Sequence, residues 1–378
     1  MAGLYFHIPY CKRKCSYCNF FSVASSKLKT GFLPAMLKEI SAKSSLLAGQ
    51  HIESVYFGGG TPSLLPAGDI YSLLNAASAA FSLQPDCEIT LEANPGDLNE
   101  SKAAAYKNMG INRISLGIQS FHEQDLRYLQ RDHTQRCAVQ SIETCIHQGF
   151  DNISVDLIYG IPGQGMDSWQ ENLDMVASFR IPHLSAYWLT VEEKTALKWL
   201  LDKGRLQAPD EEEGTGHFHL LRAWAARHGY EHYEISNFAA NGRYSRHNLG
   251  YWRGNHYLGF GPSAHAYDGS KRWWNPSSVS GYIASVNHGT PAAEEESLDD
   301  RMKFEEMLLT GLRTQWGVDL QRVTTAFGAE TQANLLTKAA SYLDAGWLRV
   351  ENDCLKATSA GMLRLDGITA ALFPEEPL

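Results

Sequence analysis

The chain has 378 residues, of which 44% are hydrophobic and 20% are charged, and its formal net charge is −9. This length suffices for one large domain and a smaller one, and the composition is that of an ordinary soluble globular protein. The acidic balance argues against nucleic acid as a main partner. No apolar run approaches the roughly 20 residues of a membrane-spanning helix and no signal peptide is visible, so the sequence predicts a cytoplasmic protein. Peripheral membrane docking and a homodimer stay open.

Short β-rich segments alternate with longer segments of helical periodicity in the first half of the chain. The predicted strands cover residues 4–8, 54–57, 87–92, 113–117, 152–158 and 182–189. The predicted helices between them include residues 31–48, 70–81 and 133–148. Such alternation indicates βαβ units and a mainly parallel sheet, and six units over about 190 residues fit an incomplete (β/α)6 barrel better than an eightfold one. Ligands are then expected at the carboxyl ends of the strands.

Three cysteines within eight residues follow the first predicted strand with the spacing C-x3-C-x2-C: Cys11, Cys15 and Cys18. Clustered thiolates are soft ligands that suit an iron–sulfur cluster or zinc, and three ligands leave one metal position open for an exogenous ligand. The basic residues at positions 12–14 are expected to lower the pKa values of the thiols. The alternative is a structural zinc site with a fourth ligand such as His7.

Glycines and polar residues occupy the ends of the next predicted strands. The glycines at 58–60 allow a backbone to approach an anion closely, or simply form a tight turn. Glu92 is placed to accept hydrogen bonds from a ribose, or alternatively to cap a helix. Gln119 is placed to contact the edge of a nucleoside or a carboxylate. Arg131 is suited to pair with a carboxylate, or it forms a surface salt bridge. Asp156, in a buried strand, needs a ligand or a core arginine as its partner.

The cysteine spacing resembles the cluster loop of the radical S-adenosylmethionine (radical SAM) superfamily. Further segments are similar to its coproporphyrinogen III oxidase-like branch, namely Tyr5-x-His7-Ile8-Pro9-x-Cys11 and the segments 58–62, 117–121 and 156–163. The resemblance implies that the three cysteines hold a [4Fe–4S] cluster whose fourth iron binds S-adenosylmethionine (SAM). It also implies SAM contacts from nine residues: Tyr5, Tyr17, Gly59, Gly60, Thr61, Glu92, Gln119, Arg131 and Asp156.

The pattern changes after residue 189. A helix is expected at 217–228 and a strand at 230–238, followed by residues 245–267, in which glycine, aromatic and histidine residues alternate without helical periodicity. Such a composition suits an aromatic wall for a flat apolar ligand, with histidines that bind iron axially. The alternative is a packed aromatic loop whose histidines bond to backbone carbonyls.

The last hundred residues are expected to form a separate small module. A helix at 302–313 has apolar residues at helical spacing, and segments 346–350 and 354–358 alternate in hydrophobicity around a hairpin turn. Helices followed by a hairpin resemble a winged-helix fold, although the acidic balance makes DNA binding a poor fit. The predicted domains are a barrel at 1–235, an aromatic and histidine-rich connecting region at 236–295, and a C-terminal module like that of the oxidase branch at 296–378.

Three features favour the heme-chaperone group of this branch over the oxidase group. Phe20 stands where a fourth cysteine is typical of the oxidase, and only four residues precede Tyr5. The third feature is a His-Asn-x2-Tyr-Trp sequence, formed by His247, Asn248, Tyr251 and Trp252. The resemblance implies a protein that binds a [4Fe–4S] cluster, SAM and heme, with these four residues at the heme, and delivers heme to apo-respiratory haemoproteins.

Two alternatives stay open from the sequence. The first is an oxygen-independent coproporphyrinogen III oxidase, a radical SAM oxidative decarboxylase, so that whether the chain is an enzyme is undecided at this point. The second is a zinc-stabilised barrel of other function. The cluster loop and the SAM residues alone do not separate the chaperone from the oxidase.

Overall fold

The structure is a computed structural model that describes residues 1–25, 30–289 and 294–375. Its strands are β1 (Ala2–Ile8), β2 (Tyr10–Cys11), β3 (Val23–Ala24), β4 (His51–Gly59), β5 (Ser82–Ala93), β6 (Arg113–Gln119), β7 (Ile153–Tyr159), β8 (His183–Trp188), β9 (Tyr230–Glu234), β10 (Asn237–Ala240), β11 (His256–Phe260), β12 (His265–Tyr267), β13 (Lys271–Trp274), β14 (Glu294–Ser297), β15 (Val318–Asp319), β16 (Leu348–Glu351) and β17 (Cys354–Ala357). Its α-helices are α1 (Phe32–Lys43), α2 (Ala67–Ala80), α3 (Glu100–Asn108), α4 (Glu123–Tyr128), α5 (Gln135–His147), α6 (Met166–Ser178), α7 (Ala196–Asp202), α8 (Glu211–Arg227), α9 (Arg246–Trp252), α10 (Val279–Asn287), α11 (Asp300–Gly311), α12 (Leu320–Phe327), α13 (Ala329–Asp344), α14 (Ser359–Met362) and α15 (Leu365–Leu372).

A twelve-stranded sheet forms the framework, in the order β14-β13-β12-β11-β1-β4-β5-β6-β7-β8-β10-β9. The six strands β1 and β4–β8 are parallel to one another, and helices connect them in the chain. Within the described residues β1 and β8 do not pair with each other, so the barrel is incomplete. The predicted incomplete (β/α)6 radical SAM barrel is confirmed.

Alternation along the strands separates an apolar outer layer from a polar interior. Leu4 and Phe6 of β1 are fully buried in the main core, where the Phe6 ring lies 4.7 Å from that of Phe57 and 4.9 Å from that of Phe260. The neighbouring Tyr5 points to the other side and hydrogen-bonds there. Buried polar side chains from the other barrel strands include Ser54, Thr90, Arg113, Ser154 and His183. A polar interior of this kind suits a polar cofactor better than a solid hydrophobic core does.

Two local predictions were wrong. Residues 230–238 form the antiparallel pair β9 and β10 instead of one strand, because the chain reverses at residues 235–236 without a glycine or proline to mark the turn. Residues 246–252, expected to lack helical structure, form α9, which Ser245 caps by accepting a hydrogen bond from the Asn248 N–H. A helix of seven residues is less than two turns long and leaves almost no periodicity to detect.

The region 236–295 adds strands to both edges of the sheet. β10 pairs with β8, while β11 pairs in parallel with β1 and is followed outward by β12–β14. Glu39 of α1 fastens this extension by accepting hydrogen bonds from the Gly261 N–H at 2.9 Å, Asn275 Nδ2 at 2.7 Å and the Tyr282 hydroxyl at 2.7 Å. Residues of this region therefore form part of the large sheet and of the main core.

The C-terminal module has its own hydrophobic core, which includes Leu308, Val323, Leu335, Leu355 and Ile368. Its order α11-β15-α12-α13-β16-β17, with a small sheet of order β15-β17-β16, is the helix and strand order of a winged helix. Left-handed Asn352 and Asp353, with φ of 51° and 57°, form the predicted hairpin turn. The winged-helix-like module is confirmed. In the part of the chain that the structure describes, no helix combines the length and apolar character needed to cross a bilayer.

Candidate cofactor site

The cysteine loop lies over the carboxyl end of β1. β2 at the start of the loop pairs with β3 at its end, which closes the loop at its base. The middle of the loop is held by Ser16, whose N–H donates to the Leu129 carbonyl at 3.4 Å and whose carbonyl accepts from the Leu197 N–H at 2.7 Å. Cys11 is buried, and Cys15 and Cys18 are partly exposed. These anchors hold the loop on the barrel next to the predicted ligand-binding end.

A cavity of about 580 Å³ opens at the carboxyl ends of the central strands. The three cysteines line it together with eight of the nine residues predicted to contact SAM: Tyr17, Gly59, Gly60, Thr61, Glu92, Gln119, Arg131 and Asp156. The ninth, Tyr5, is absent from the lining, and its hydroxyl bonds to His7 Nδ1 at 3.1 Å. His7 Nε2 in turn bonds to the Phe21 carbonyl at 2.8 Å, so Tyr5 supports the cysteine loop through His7.

Within residues 1–25, 30–289 and 294–375, no three His, Cys, Asp or Glu side chains are grouped to hold one metal ion. The fourth zinc ligand that the sequence suggested is His7. Both ring nitrogens of His7 are engaged in hydrogen bonds, so the proposed fourth zinc ligand is already in use.

The expectation that basic neighbours lower the thiol pKa values is wrong for two cysteines. Burial raises the pKa of Cys11 and of Cys18 and outweighs the nearby positive charges of Arg131 and Lys14, respectively. Lys12 is occupied by an ion pair with Asp97. The cost of removing a thiolate from water exceeds its attraction to these positive charges.

The glycine turn after β4 is required by close packing against the cysteine loop. A Cβ on Gly60 would lie 2.7 Å from the Tyr10 carbonyl oxygen, and one on Gly59, whose φ is 109°, would lie 2.7 Å from the His7 ring. The Gly59 N–H donates to Glu92 Oε2 at 3.2 Å. The turn thus joins the cysteine loop to an acidic residue of the cavity.

Two of the carboxylic acids in the cavity wall, Glu92 and Asp156, have raised pKa values. Burial raises the pKa of Glu92 to about 7, opposed by a hydrogen bond from the Tyr56 hydroxyl, whose oxygen is 2.8 Å away. Burial raises the pKa of Asp156 to about 6, opposed by hydrogen bonds from Ser185 and Ser115 and by the charge of Arg113. The charged form of such a carboxylic acid is stabilised when a ligand brings hydrogen-bond donors that replace the lost water.

Arg131 forms contacts inside the site rather than a surface salt bridge. Its Nη1 donates to Cys15 Sγ at 3.3 Å, and its Nη2 donates to the Gly117 carbonyl at 2.6 Å and to Asn94 Oδ1. Its Nε is buried without a hydrogen-bond partner among the described residues, which leaves a donor for a ligand such as a carboxylate. Asn94 is a cavity residue that the sequence did not reveal, although its place just after the end of β5 is a weak signal.

The four residues expected at the heme lie away from this cavity. α9 packs under the amino-terminal ends of β1 and β4, where a pocket of only about 10 Å³ is found. His247 Nδ1 lies 2.9 Å from Ser54 Oγ and its Nε2 lies 2.9 Å from the Tyr251 hydroxyl. Burial lowers the pKa of His247 to about 3, so the ring is neutral. Trp252 Nε1 is buried and unpartnered within the described residues.

Sequence comparisons identify the family. The radical SAM superfamily model matches residues 5–176, and the HemN C-terminal domain model matches residues 297–364. The chain is 34% identical over 377 residues to heme chaperone HemW of Mycobacterium tuberculosis, a match that covers 98% of this chain and 94% of the relative. The chain belongs to the HemW family of radical SAM proteins.

Other relatives agree with this placement in the HemW family. HemW of Bacillus subtilis is 31% identical over 379 residues, covering 99% of this chain and all of the relative. The bovine radical S-adenosyl methionine domain-containing protein 1, mitochondrial, is 34% identical over 401 residues, covering 98% and 87%. Among solved structures, coproporphyrinogen III oxidase (HemN) of Escherichia coli shares the fold, with a TM-score of 0.85 and 21% identity over 99% of this chain and 90% of that one.

Proposed function

We propose that this chain is a heme chaperone that holds a [4Fe–4S] cluster, binds SAM and carries heme to apo-respiratory haemoproteins. The observation that carries the proposal is that three cysteines and eight predicted SAM contacts line one cavity of a HemW-family chain. The chaperone part is supported by matches to proteins named heme chaperone HemW that extend over nearly the whole length of both chains. The heme carrier is proposed to act in the cytoplasm.

The cavity residues divide the tasks of holding SAM. When bound, the cluster supplies one iron with an open coordination position and an electron. Arg131 supplies a positive charge for a carboxylate at the cavity wall, and its Nε–H has no hydrogen-bond partner among the described residues. Glu92 and Asp156 supply acceptors for hydroxyl or amino groups, while the glycine turn at 59–60 permits close approach of the backbone. The partly exposed thiols of Cys15 and Cys18 face the same space.

For heme we propose contacts with His247, Asn248, Tyr251 and Trp252 of α9. Neutral imidazole is the form that binds iron, and the low pKa of His247 keeps it neutral at physiological pH. In the present arrangement His247 Nε2 bonds to the Tyr251 hydroxyl, and the adjacent pocket is too small for a porphyrin. The proposal therefore requires that α9 move and that iron replace the Tyr251 hydroxyl at Nε2.

A heme titration tests the chaperone function. We expect the wild-type protein to bind heme with a Soret band that is lost in His247→Ala and retained in His147→Ala, a control at an exposed histidine in the last turn of α5. Thermal unfolding of both variants shows whether the loss is due to misfolding. Conversion of coproporphyrinogen III to protoporphyrinogen IX by the anaerobically reconstituted protein contradicts the chaperone proposal in favour of the oxidative decarboxylase.

Iron, sulfide and zinc analysis tests the metal part separately. We expect iron and acid-labile sulfide after anaerobic reconstitution, and their loss in the Cys11→Ser, Cys15→Ser and Cys18→Ser variants. Zinc bound without sulfide would contradict the cluster. Light scattering tests for a homodimer, and co-sedimentation with lipid vesicles tests for peripheral membrane docking, both of which the sequence left open.

A further inference from the structure

The backbone adopts an uncommon conformation where β6 meets the cavity. Gln119, which lines the cavity, has a φ of 68° although it is not a glycine. The pairing of β6 with β7 shifts register between Leu116 and Gln119, so the strand is irregular just before this point. A non-glycine residue persists in the left-handed region only where its surroundings hold it there.

Asn172 of α6 holds the chain directly after Gln119. Its side chain is fully buried, and its Oδ1 accepts a hydrogen bond from the Phe121 N–H at 2.6 Å. Its Nδ2 donates to the Ser168 carbonyl at 3.0 Å, which fixes the orientation of the amide. One side chain of α6 thereby determines the backbone position two residues after Gln119.

Ser120 extends this contact to two further elements. Its hydroxyl donates to Asp125 Oδ2 at 2.7 Å and accepts from the His122 N–H at 3.0 Å. Asp125 Oδ2 also accepts from Gln164 Nε2 at 3.1 Å, and that amide donates to the Ile158 carbonyl at 3.2 Å. The end of β6 is thus tied to α4 and to the end of β7 by side chains with exposures of 2% or less.

The backbone conformation of Gln119 determines where its amide group lies. A Cβ on Gly117 would lie 3.1 Å from Gln119 Nε2 and 3.5 Å from Arg131 Nη2, so both polar groups occupy the space above Gly117. Asn172, Ser120 and Asp125 are not among the cavity-lining residues. Any influence they have on a ligand must therefore pass through the segment that carries Gln119.

We propose that Asn172 is a positioning residue for the cofactor cavity. Together with Ser120 and Asp125, it holds Gln119 in the left-handed conformation that places the Gln119 amide beside Arg131, and it thereby sets the affinity for SAM. This inference rests on the proposed SAM site. The four buried side chains of this network are Asn172, Ser120, Asp125 and Gln164, and their hydrogen bonds stabilise a backbone conformation at the edge of the site.

Two variants test the inference on protein reconstituted with its cluster. Asn172→Leu keeps a similar volume without the hydrogen bonds, and Ser120→Ala removes only the hydroxyl. We expect each to weaken SAM binding, roughly tenfold for Asn172→Leu, measured by equilibrium dialysis with iron and sulfide content unchanged. Hydrogen exchange of the peptide 117–123 should accelerate in both. In a Gln119→Gly background, Asn172→Leu should weaken SAM binding no further, because glycine needs no support at positive φ.

Asn112 provides the matched control at the opposite end of β6. Its Oδ1 accepts from the Ile89 N–H at 2.8 Å and its Nδ2 donates to the Cys87 carbonyl at 2.8 Å, so it also bridges backbone groups. We expect Asn112→Leu to leave the SAM affinity unchanged. The inference is overturned if Asn172→Leu and Ser120→Ala bind SAM like the wild type, or if Asn112→Leu weakens binding equally. If the wild-type protein itself binds no SAM, the proposed SAM site is wrong. That result differs from equal SAM binding by all variants, which contradicts only the role of Asn172.

Discussion

Arg131 donates a hydrogen bond from Nη1 to the Sγ of Cys15 across 3.3 Å. This contact joins the segment between α4 and α5 to the cysteine loop, two parts of the chain separated by 116 residues. The same guanidinium group holds the Gly117 carbonyl at the end of β6. Arg131 therefore links the cysteine loop to the barrel in addition to lining the cavity. Its removal should affect both ligand binding and the position of the loop.

Arg131→Gln should weaken SAM binding by on the order of 10- to 100-fold, because it removes a charged fork donor and leaves acceptors at Gly117 and Asn94 unpaired. The exposed Arg136→Gln on α5 is the control and should have no effect. Equilibrium dialysis on reconstituted protein measures the affinity, and iron content shows whether the cluster is retained. Equal SAM affinity in both variants would show that Arg131 has only a structural role.

Gly60→Ala should displace the cysteine loop. The new Cβ would lie within 2.9 Å of three backbone atoms of residues 8–10, which are not free to move like a side chain. We expect a loss of about 1–3 kcal/mol in the free energy of unfolding and a lower iron content after reconstitution. The control is Gly96→Ala, where a Cβ meets nothing within 4 Å. Denaturant unfolding and iron analysis measure the two effects, and normal values for Gly60→Ala would contradict the packing argument.

The stability of the cluster-free protein should respond to pH through Asp156. Its pKa is about 6 in the folded state against an ordinary value of 3.8, because burial disfavours the charged form. Between these values the folded state binds more protons than the unfolded state, so the free energy of unfolding falls as pH rises through this window and stays reduced above it.

Asp156→Asn should therefore stabilise the cluster-free protein at pH 8, by about 1–3 kcal/mol, and have little effect near pH 4. The hydroxyls of Ser115 and Ser185 adapt to an amide because they both donate and accept. Denaturant unfolding at the two pH values measures the difference, with the exposed Asp344→Asn as control. A stabilisation that is equal at both pH values would exclude the charge as its cause.

If His247 binds heme iron, the Tyr251 hydroxyl competes with iron for Nε2, since the two atoms are 2.9 Å apart. Tyr251→Phe removes this competitor and keeps the ring, so we expect heme affinity to rise by about 2- to 10-fold. Tyr71→Phe, at an exposed tyrosine of α2, is the control. Heme titration followed at the Soret band measures the affinity of each variant. A lower affinity in Tyr251→Phe would mean that the hydroxyl itself contacts the ligand.

Much of the barrel could be predicted because its signals are local. Alternating apolar residues mark β1 and β4–β8, and the short spacing of Cys11, Cys15 and Cys18 places three thiols on one loop whatever surrounds it. The carboxyl ends of parallel strands must meet at one edge, so Glu92 and Asp156 were expected together, and both line the cavity. Period and spacing are properties of neighbouring residues and need no knowledge of the fold.

The tertiary structure decided what depends on residues distant in the chain. Asn172 lies about 50 residues from the backbone that it holds, and no pattern in the sequence marks that contact. His247 has a sequence suited to iron, but packing against Ser54 and Tyr251 buries it and engages both ring nitrogens. The pairing of β11 with the edge of β1 is likewise a contact between distant segments, and Glu39 supports it by accepting a hydrogen bond from the Gly261 N–H. Desolvation and hydrogen-bond partners arise only when distant segments meet, and they determine the charge and availability of each side chain.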